Sequence, residues 1–121
     1  MSTARKWTRA LAVALMLAPP TAMAQAQGDS DLAAILVSHD IVYDGVAWER
    51  HAASGRIVLR SLEDPDGTTS LGEWQIVEGA RCLRWRPAMD WECYAVELDG
   101  AGGITMTDAL GNAITGRLVP R

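Results

Sequence analysis

Two cysteines, Cys82 and Cys93, constrain the fold of this chain more than any other feature. They are the only cysteines among its 121 residues, and each lies in a stretch where apolar and polar side chains alternate. Alternation of this kind predicts β-strands, and a disulfide requires Cα atoms no more than about 7 Å apart. If the two cysteines pair, the short connection between them makes their strands antiparallel neighbours with a defined register.

The start of the chain supports pairing because it has the features of a secretory signal peptide. Residues 1–9 carry three basic side chains and no acidic one, residues 10–18 are apolar, and Ala22-Met23-Ala24 matches the A-x-A exit. We expect a signal peptide over 1–24 with cleavage after Ala24, or alternatively after Ala26. The apolar run is shorter than the roughly 20 residues that cross a bilayer, so we expect no membrane span after cleavage. The mature protein is expected to be periplasmic or secreted, where cysteines pair.

Removal of the leader leaves an acidic chain. It takes away three of the 11 basic residues, so that eight stand against 15 acidic ones and the net charge is −7. Proteins that bind nucleic acid normally carry a basic excess, and the composition argues against that class. The length predicts one domain, which we expect to be a monomer.

Beyond residue 40, turn residues divide the chain into short alternating segments, which predicts an all-β fold. We expect a polar start and a short helix over 25–39, with the helix itself at 31–38 and capped by Asp29 or Ser30. Residues 40–121 are predicted to form a single antiparallel meander of seven or eight strands, as a strongly twisted sheet or a half-open barrel. The strands are expected near 40–44, 46–52, 56–62, 70–78, 81–86, 91–98, 103–107 and 113–119.

The stretch around the first cysteine allows a strand register to be derived. A two-residue type II′ turn at Gly79-Ala80 pairs Trp74 with Trp85 and Glu73 with Arg86. Together with a direct cross-strand disulfide, this register assigns a common set of side chains to one face, which we expect to be the core. The set is Trp74, Ile76, Leu83, Trp85, Tyr94, Val96 and Leu98.

The same stretch carries a pattern of residue types that resembles a known family. The pattern is G-x-W-x-I…G…C…C-[YW]-x-V, formed here by Gly72–Ile76, Gly79, Cys82, Cys93-Tyr94 and Val96. It resembles a family of small exported bacterial single-domain proteins of uncharacterised function. The resemblance covers about 40–121 and implies a leader, a short helix and an antiparallel meander. It implies no catalytic residue.

The chain offers little material for catalysis or metal binding. His39 and His51 could meet across a hairpin with Asp40, Asp44 or Glu49, but zinc needs three or four convergent ligands. We therefore favour ordinary surface histidines. With both cysteines paired and no serine in a strand-to-helix elbow, we predict no catalytic residue, no metal and no cofactor.

A cluster of arginines and tryptophan has two interpretations. Alternation places Arg84 and Arg86 on the non-core face, with Trp91 opposite Arg84. Together with the neighbouring Arg81, these residues form a positive patch whose candidate binding surface, Arg84, Arg86 and Trp91, suits a cell-wall component or an envelope protein. In the structural interpretation, which we favour, Glu73 and Arg86 form an ion pair and Arg84 stacks on Trp91.

These observations favour a non-catalytic periplasmic or secreted binding or accessory protein of unknown partner, for example an inhibitor of an envelope enzyme. The alternative is a carrier whose curled sheet encloses a small apolar ligand, as lipocalin-like barrels do. A carrier predicts a cavity of at least ~300 Å³ lined by Trp48, Trp74 or Trp85. An enzyme with an unrecognised site is a third possibility.

Overall fold

Turn-forming residues divide the chain into eight short β-strands that follow one helix. The computed structural model describes residues 28–64 and 66–121; the predicted signal peptide (1–24), residues 25–27 and Pro65 lie outside the described residues. The helix, α1, occupies residues 28–38. The strands are β1 (His39–Tyr43), β2 (Ala47–His51), β3 (Arg56–Ser61), β4 (Thr69–Val77), β5 (Ala80–Trp85), β6 (Glu92–Leu98), β7 (Gly103–Thr107) and β8 (Ala113–Pro120).

The eight strands close into an antiparallel barrel. Each strand pairs with the next along the chain, and β1 also pairs with β8, from His39↔Pro120 to Val42↔Arg117. Closure gives each of the eight described strands two neighbours, so that none of them is an edge strand. The predicted all-β meander with an N-terminal helix is confirmed, and the pairing of β1 with β8 decides in favour of a closed barrel.

Helix α1 packs over the barrel end where β1 begins. Its Leu32 and Leu36, spaced one helical turn apart, are buried and join a core formed by Ile41, Ile57, Trp74, Leu83, Ile104 and Met106. The predicted cap is wrong, because residues 28–30 are already helical. Packing of the two leucines on the core supports a longer helix than the local polar residues indicate. Among the described residues, no helix combines the length and the apolar character needed to cross a bilayer.

The register of β4 against β5 differs from the prediction by two residues. Val77 pairs with Ala80, so the turn residues are Glu78 and Gly79. Their φ angles are 49° and 81°, as a type I′ turn requires. A glutamate in this left-handed conformation is rare, and the residue types therefore indicated the wrong turn.

This shift changes the cross-strand partners but not the faces. Trp74 lies opposite Leu83, and Trp85 lies opposite Gly72, so the predicted Trp74–Trp85 pair is wrong. Gly72 has no room for a side chain, because a Cβ would clash with the backbone oxygen of Arg84 and approach the Trp85 ring to 2.9 Å. An even shift keeps every side chain on its side of the sheet, and the assignment of faces therefore survives.

The ladder between β5 and β6 follows the predicted register. Cys82 pairs with Cys93 and is bonded to it, with Cα atoms 3.9 Å apart. Trp74 and Leu83 of the predicted core are buried, and Ile76, Trp85, Tyr94 and Val96 are partly buried against them. Leu98 is 41% exposed, contrary to expectation, because it is the last residue of β6 and precedes a turn.

Loss of the disulfide is expected to destabilise the fold markedly. Cys82→Ala/Cys93→Ala should lower the free energy of unfolding by about 3 kcal/mol, because the open chain gains the loop entropy that the bond removes. Urea unfolding followed by tryptophan fluorescence measures the change. A reducing agent should destabilise the wild type similarly and leave the double variant unaffected; equal unfolding midpoints for reduced and oxidised wild type would contradict this account.

Candidate functional site

The barrel end away from α1 opens into a cavity of about 480 Å³. Helix α1 and the core fill the other end, so the interior is packed on one side and hollow on the other. The cavity walls are mainly apolar, and its polar groups come from a few inward-facing side chains. It is lined by Tyr43, Val46, Ala47, Glu49, Leu59, Arg81, Leu83, Trp85, Tyr94, Met106, Ile114 and Thr115.

Strand alternation brings charged side chains into this interior. Glu49 and His51 follow Ala47 at every second position of β2 and share its inward face; they are 4% and 0% exposed. Arg81 is 3% exposed. It lies two residues before Leu83 on β5 and therefore points to the same, inward face of the sheet. We call Tyr43, Glu49, His51 and Arg81 the polar floor.

The polar floor is joined by short hydrogen bonds. Arg81 Nη1 donates to Glu49 Oε1 at 2.9 Å, and Tyr43 Oη donates to the same oxygen at 2.6 Å. Arg81 Nη1 also lies 3.0 Å from His51 Nε2. Because a guanidinium can only donate, His51 Nε2 accepts this bond and the proton of the neutral ring lies on Nδ1.

Burial holds both rings of the polar floor in their neutral forms. Burial, followed by the positive charge of Arg81, lowers the pKa of His51 from 6.5 to about 3. Burial, followed by the negative charge of Glu49, raises the pKa of Tyr43 far above its ordinary value of 10.0. Near neutral pH, the polar floor thus contains one positive charge, one negative charge and two uncharged rings.

Two buried nitrogens of the polar floor have no hydrogen-bond acceptor among the described residues. They are Arg81 Nε and His51 Nδ1. His51 packs edge-on against Trp74, with ring centroids 5.1 Å apart, whereas Trp74 Nε1 donates to Ala52 O at 2.9 Å. Unpaired buried donors are costly, so these two groups mark positions where an acceptor would be favourable.

The sequence analysis did not predict this cluster, although the sequence contains a signal for it. The expectation that His51 is a surface histidine is wrong, and Arg81, which was grouped with Arg84 and Arg86 as a positive patch, is buried inside the barrel. Ala47 is the only apolar residue on the inward face of β2, so alternation does not identify this face as the interior. Charged residues are rarely buried, which argues against placing Glu49 there. Arg81 nevertheless lies two residues before the predicted core residue Leu83 on the same strand and therefore shares its face. This spacing was the available signal.

The remaining histidine lies elsewhere. His39 Nδ1 is 2.9 Å from Ile35 O, at the end of α1. Across residues 28–64 and 66–121, no group of three or more His, Cys, Asp and Glu side chains is arranged to hold a metal ion.

On the outer face, the predicted contact of Arg84 with Trp91 is confirmed: the guanidinium carbon lies 4.6 Å from the ring centroid. Glu73 pairs with Arg84, its Oε1 accepting from Nε at 2.6 Å, and not with Arg86 as predicted. The two-residue change in register explains the exchange. Arg86 is exposed just beyond β5, and Trp91 is 39% exposed.

Comparison with protein-family models, with curated proteins and with solved structures finds no match for this chain. The family suggested by the G-x-W-x-I pattern stays a prediction.

Burial of neutral His51 predicts a loss of stability in mild acid. The unfolded chain takes up this proton near pH 6.5 and the folded protein only near pH 3, so the unfolded state binds more protons between these values. Stability should fall by about 2 kcal/mol from pH 6.5 to 4.5. Urea unfolding at a series of pH values measures this slope.

His51→Gln should flatten this slope because glutamine does not titrate. His39→Gln serves as the matched control and should keep the wild-type slope. The ion-paired Asp40 has a pKa lowered from 3.8 by its hydrogen bonds with Arg50, so its contribution is lost only below this range. An unchanged slope in His51→Gln would show that another group causes it.

Proposed function

We propose that this protein is a non-catalytic carrier that binds a small apolar ligand inside the barrel. The observation that carries the proposal is the largely apolar cavity of about 480 Å³, open at one end. Its volume lies within the range typical of small-molecule sites, roughly 300–1,000 Å³. The barrel is compatible with a binding protein, and the hollow interior favours the carrier over the accessory protein.

The mouth of the cavity is apolar, like its walls. Val46 and Ile114 line the cavity and are 48% and 56% exposed. Exposed apolar side chains grouped at an opening favour interaction with an apolar molecule. Of the three tryptophans expected to line a carrier's cavity, Trp85 does so, whereas Trp74 belongs to the core and Trp48 does not line the cavity.

The walls are suited to binding without rearrangement. The closed ladder pairs every strand with two neighbours, and the Cys82–Cys93 disulfide joins β5 to β6 beside the cavity. A cavity that exists before binding avoids the cost of ordering its walls. A disulfide is typical of exported proteins, and together with the predicted leader it supports a periplasmic or secreted carrier.

Binding of N-phenyl-1-naphthylamine, a neutral apolar dye that fluoresces in apolar sites, tests the carrier. We expect one saturable site per chain. Leu59→Trp should weaken binding at least tenfold, because Leu59 lines the cavity and a larger ring there occupies the ligand volume. The measurement is a fluorescence titration at constant protein concentration.

Val58→Trp is the matched control. Val58 is the neighbouring residue on β3 and lies opposite Leu71 of β4 on the other face of the sheet. It should bind the dye like the wild type. Absence of saturable binding to the wild type, or equal weakening in both variants, would refute binding inside the barrel.

A second candidate function is binding at the outer face, where the Arg84 guanidinium stacks on the exposed ring of Trp91. If this face binds a cell-wall component, purified peptidoglycan should sediment the wild type, and Trp91→Ala should abolish sedimentation without changing the melting temperature. We favour the structural interpretation, in which the contact of Arg84 with Trp91 stabilises the fold. Peptidoglycan should then not sediment the wild type. Arg84→Ala should lower the free energy of unfolding by about 1 kcal/mol, because it removes the cation–π contact and the ion pair. Arg86→Ala removes an exposed side chain and is the control for stability, which it should leave unchanged.

A further inference from the structure

We infer that the ligand of the cavity carries one neutral oxygen acceptor on an apolar body, as a ketone, aldehyde or ester does, and is not a carboxylate. This inference rests on the proposed function, because it concerns a molecule bound in the same cavity. It follows from the hydrogen-bond inventory and the charge balance of the polar floor.

Arg81 supplies the reason for an acceptor. It lines the cavity, is 3% exposed, and its Nε has no acceptor among the described residues. Its Nη1 is already engaged by Glu49 Oε1 and His51 Nε2. The guanidinium has five N–H groups, so an oxygen of a bound ligand that accepts from the part of Arg81 lining the cavity would lower the cost of its unpaired donors. A pure hydrocarbon would leave this cost in place.

The charges of the polar floor supply the reason for neutrality. The single positive charge of Arg81 is balanced by Glu49 at 2.9 Å, and both residues line the cavity. The neighbouring rings are uncharged, since burial lowers the pKa of His51 and raises that of Tyr43. A carboxylate ligand would add a second negative charge beside Glu49 without a cation of its own, and an uncompensated charge is strongly unfavourable in such a site.

Glu49 also argues against a cationic ligand, because its charge is already balanced by Arg81. Its Oε1 already accepts from Tyr43 at 2.6 Å and from Arg81. A cationic amine would add a second positive charge beside Arg81, and the single negative charge of Glu49 would not balance both. The polar floor is therefore better matched to a ligand that accepts one hydrogen bond and carries no charge.

Three probes of similar length separate these classes: 2-tridecanone, dodecanoate and tridecane. At the packing density of protein interiors, a cavity of about 480 Å³ holds on the order of 15 non-hydrogen atoms, which suits all three. Each competes with N-phenyl-1-naphthylamine at pH 7.5. The ketone should bind about tenfold more tightly than either of the others, the effect of one hydrogen bond to a charged donor.

Glu49→Gln should reverse the preference between the two polar probes. It keeps a side-chain oxygen near Arg81 but removes the balancing charge, so dodecanoate should then bind at least tenfold more tightly than 2-tridecanone. Glu97→Gln removes an exposed carboxylate of β6 and should keep the wild-type order. Circular dichroism checks that each variant is folded, and the wild-type series decides the matter if Glu49→Gln does not fold.

The outcomes distinguish this inference from the carrier proposal. Dodecanoate binding to the wild type as tightly as the ketone, or tridecane matching it, would overturn the neutral-acceptor ligand while dye binding upholds the carrier. An unchanged preference in folded Glu49→Gln would overturn the charge argument. Failure of the dye and of every probe to bind would overturn both proposals together.

Discussion

Hydrogen bonding between β1 and β8 is the interaction on which the interior of this protein depends. Without it, the eight strands would form a curled sheet with two open edges, and its concave side chains would face water. With it, the inner positions of every strand share one enclosed space. Gly116 of β8 helps this approach, since a Cβ there would come within 2.8 Å of Ile41 on β1.

The two ends of the enclosed space differ in their packing. Leucines of α1 and the core residues around Trp74 fill one end, while the other end is hollow. Between them lies the polar floor, where Arg81 and Glu49 satisfy each other's charge at 2.9 Å. Breaking such a buried pair leaves an uncompensated charge, whereas the pair itself adds little net stability. In the carrier that we propose, its position beside the cavity suits recognition of a ligand.

Strand positions and faces could be predicted because alternation is a local property. All eight strands lie where the turn residues placed them, and an error of two residues between β4 and β5 left Trp74, Leu83 and Tyr94 on the predicted face. The partners within that hairpin could not be predicted, since Glu78 adopts a conformation that its residue type disfavours. The contacts within the polar floor could not be predicted either, because alternation indicates the face of a side chain but not its partners, and Glu49 and His51 on β2 are far from Arg81 on β5 along the chain.

Sequence alone determined the strand positions, the common face of the predicted core residues and the cysteine pair, since period-two alternation, turn residues and a short disulfide loop act between neighbours in the chain. Only the tertiary structure decided that the sheet closes, that a charged cluster is buried and that a cavity opens beside it. These features require contacts between residues such as Val42 and Arg117, or Glu49 and Arg81. Such distant contacts follow from the summed twist of the strands and the space left by α1, which no local pattern of residues specifies.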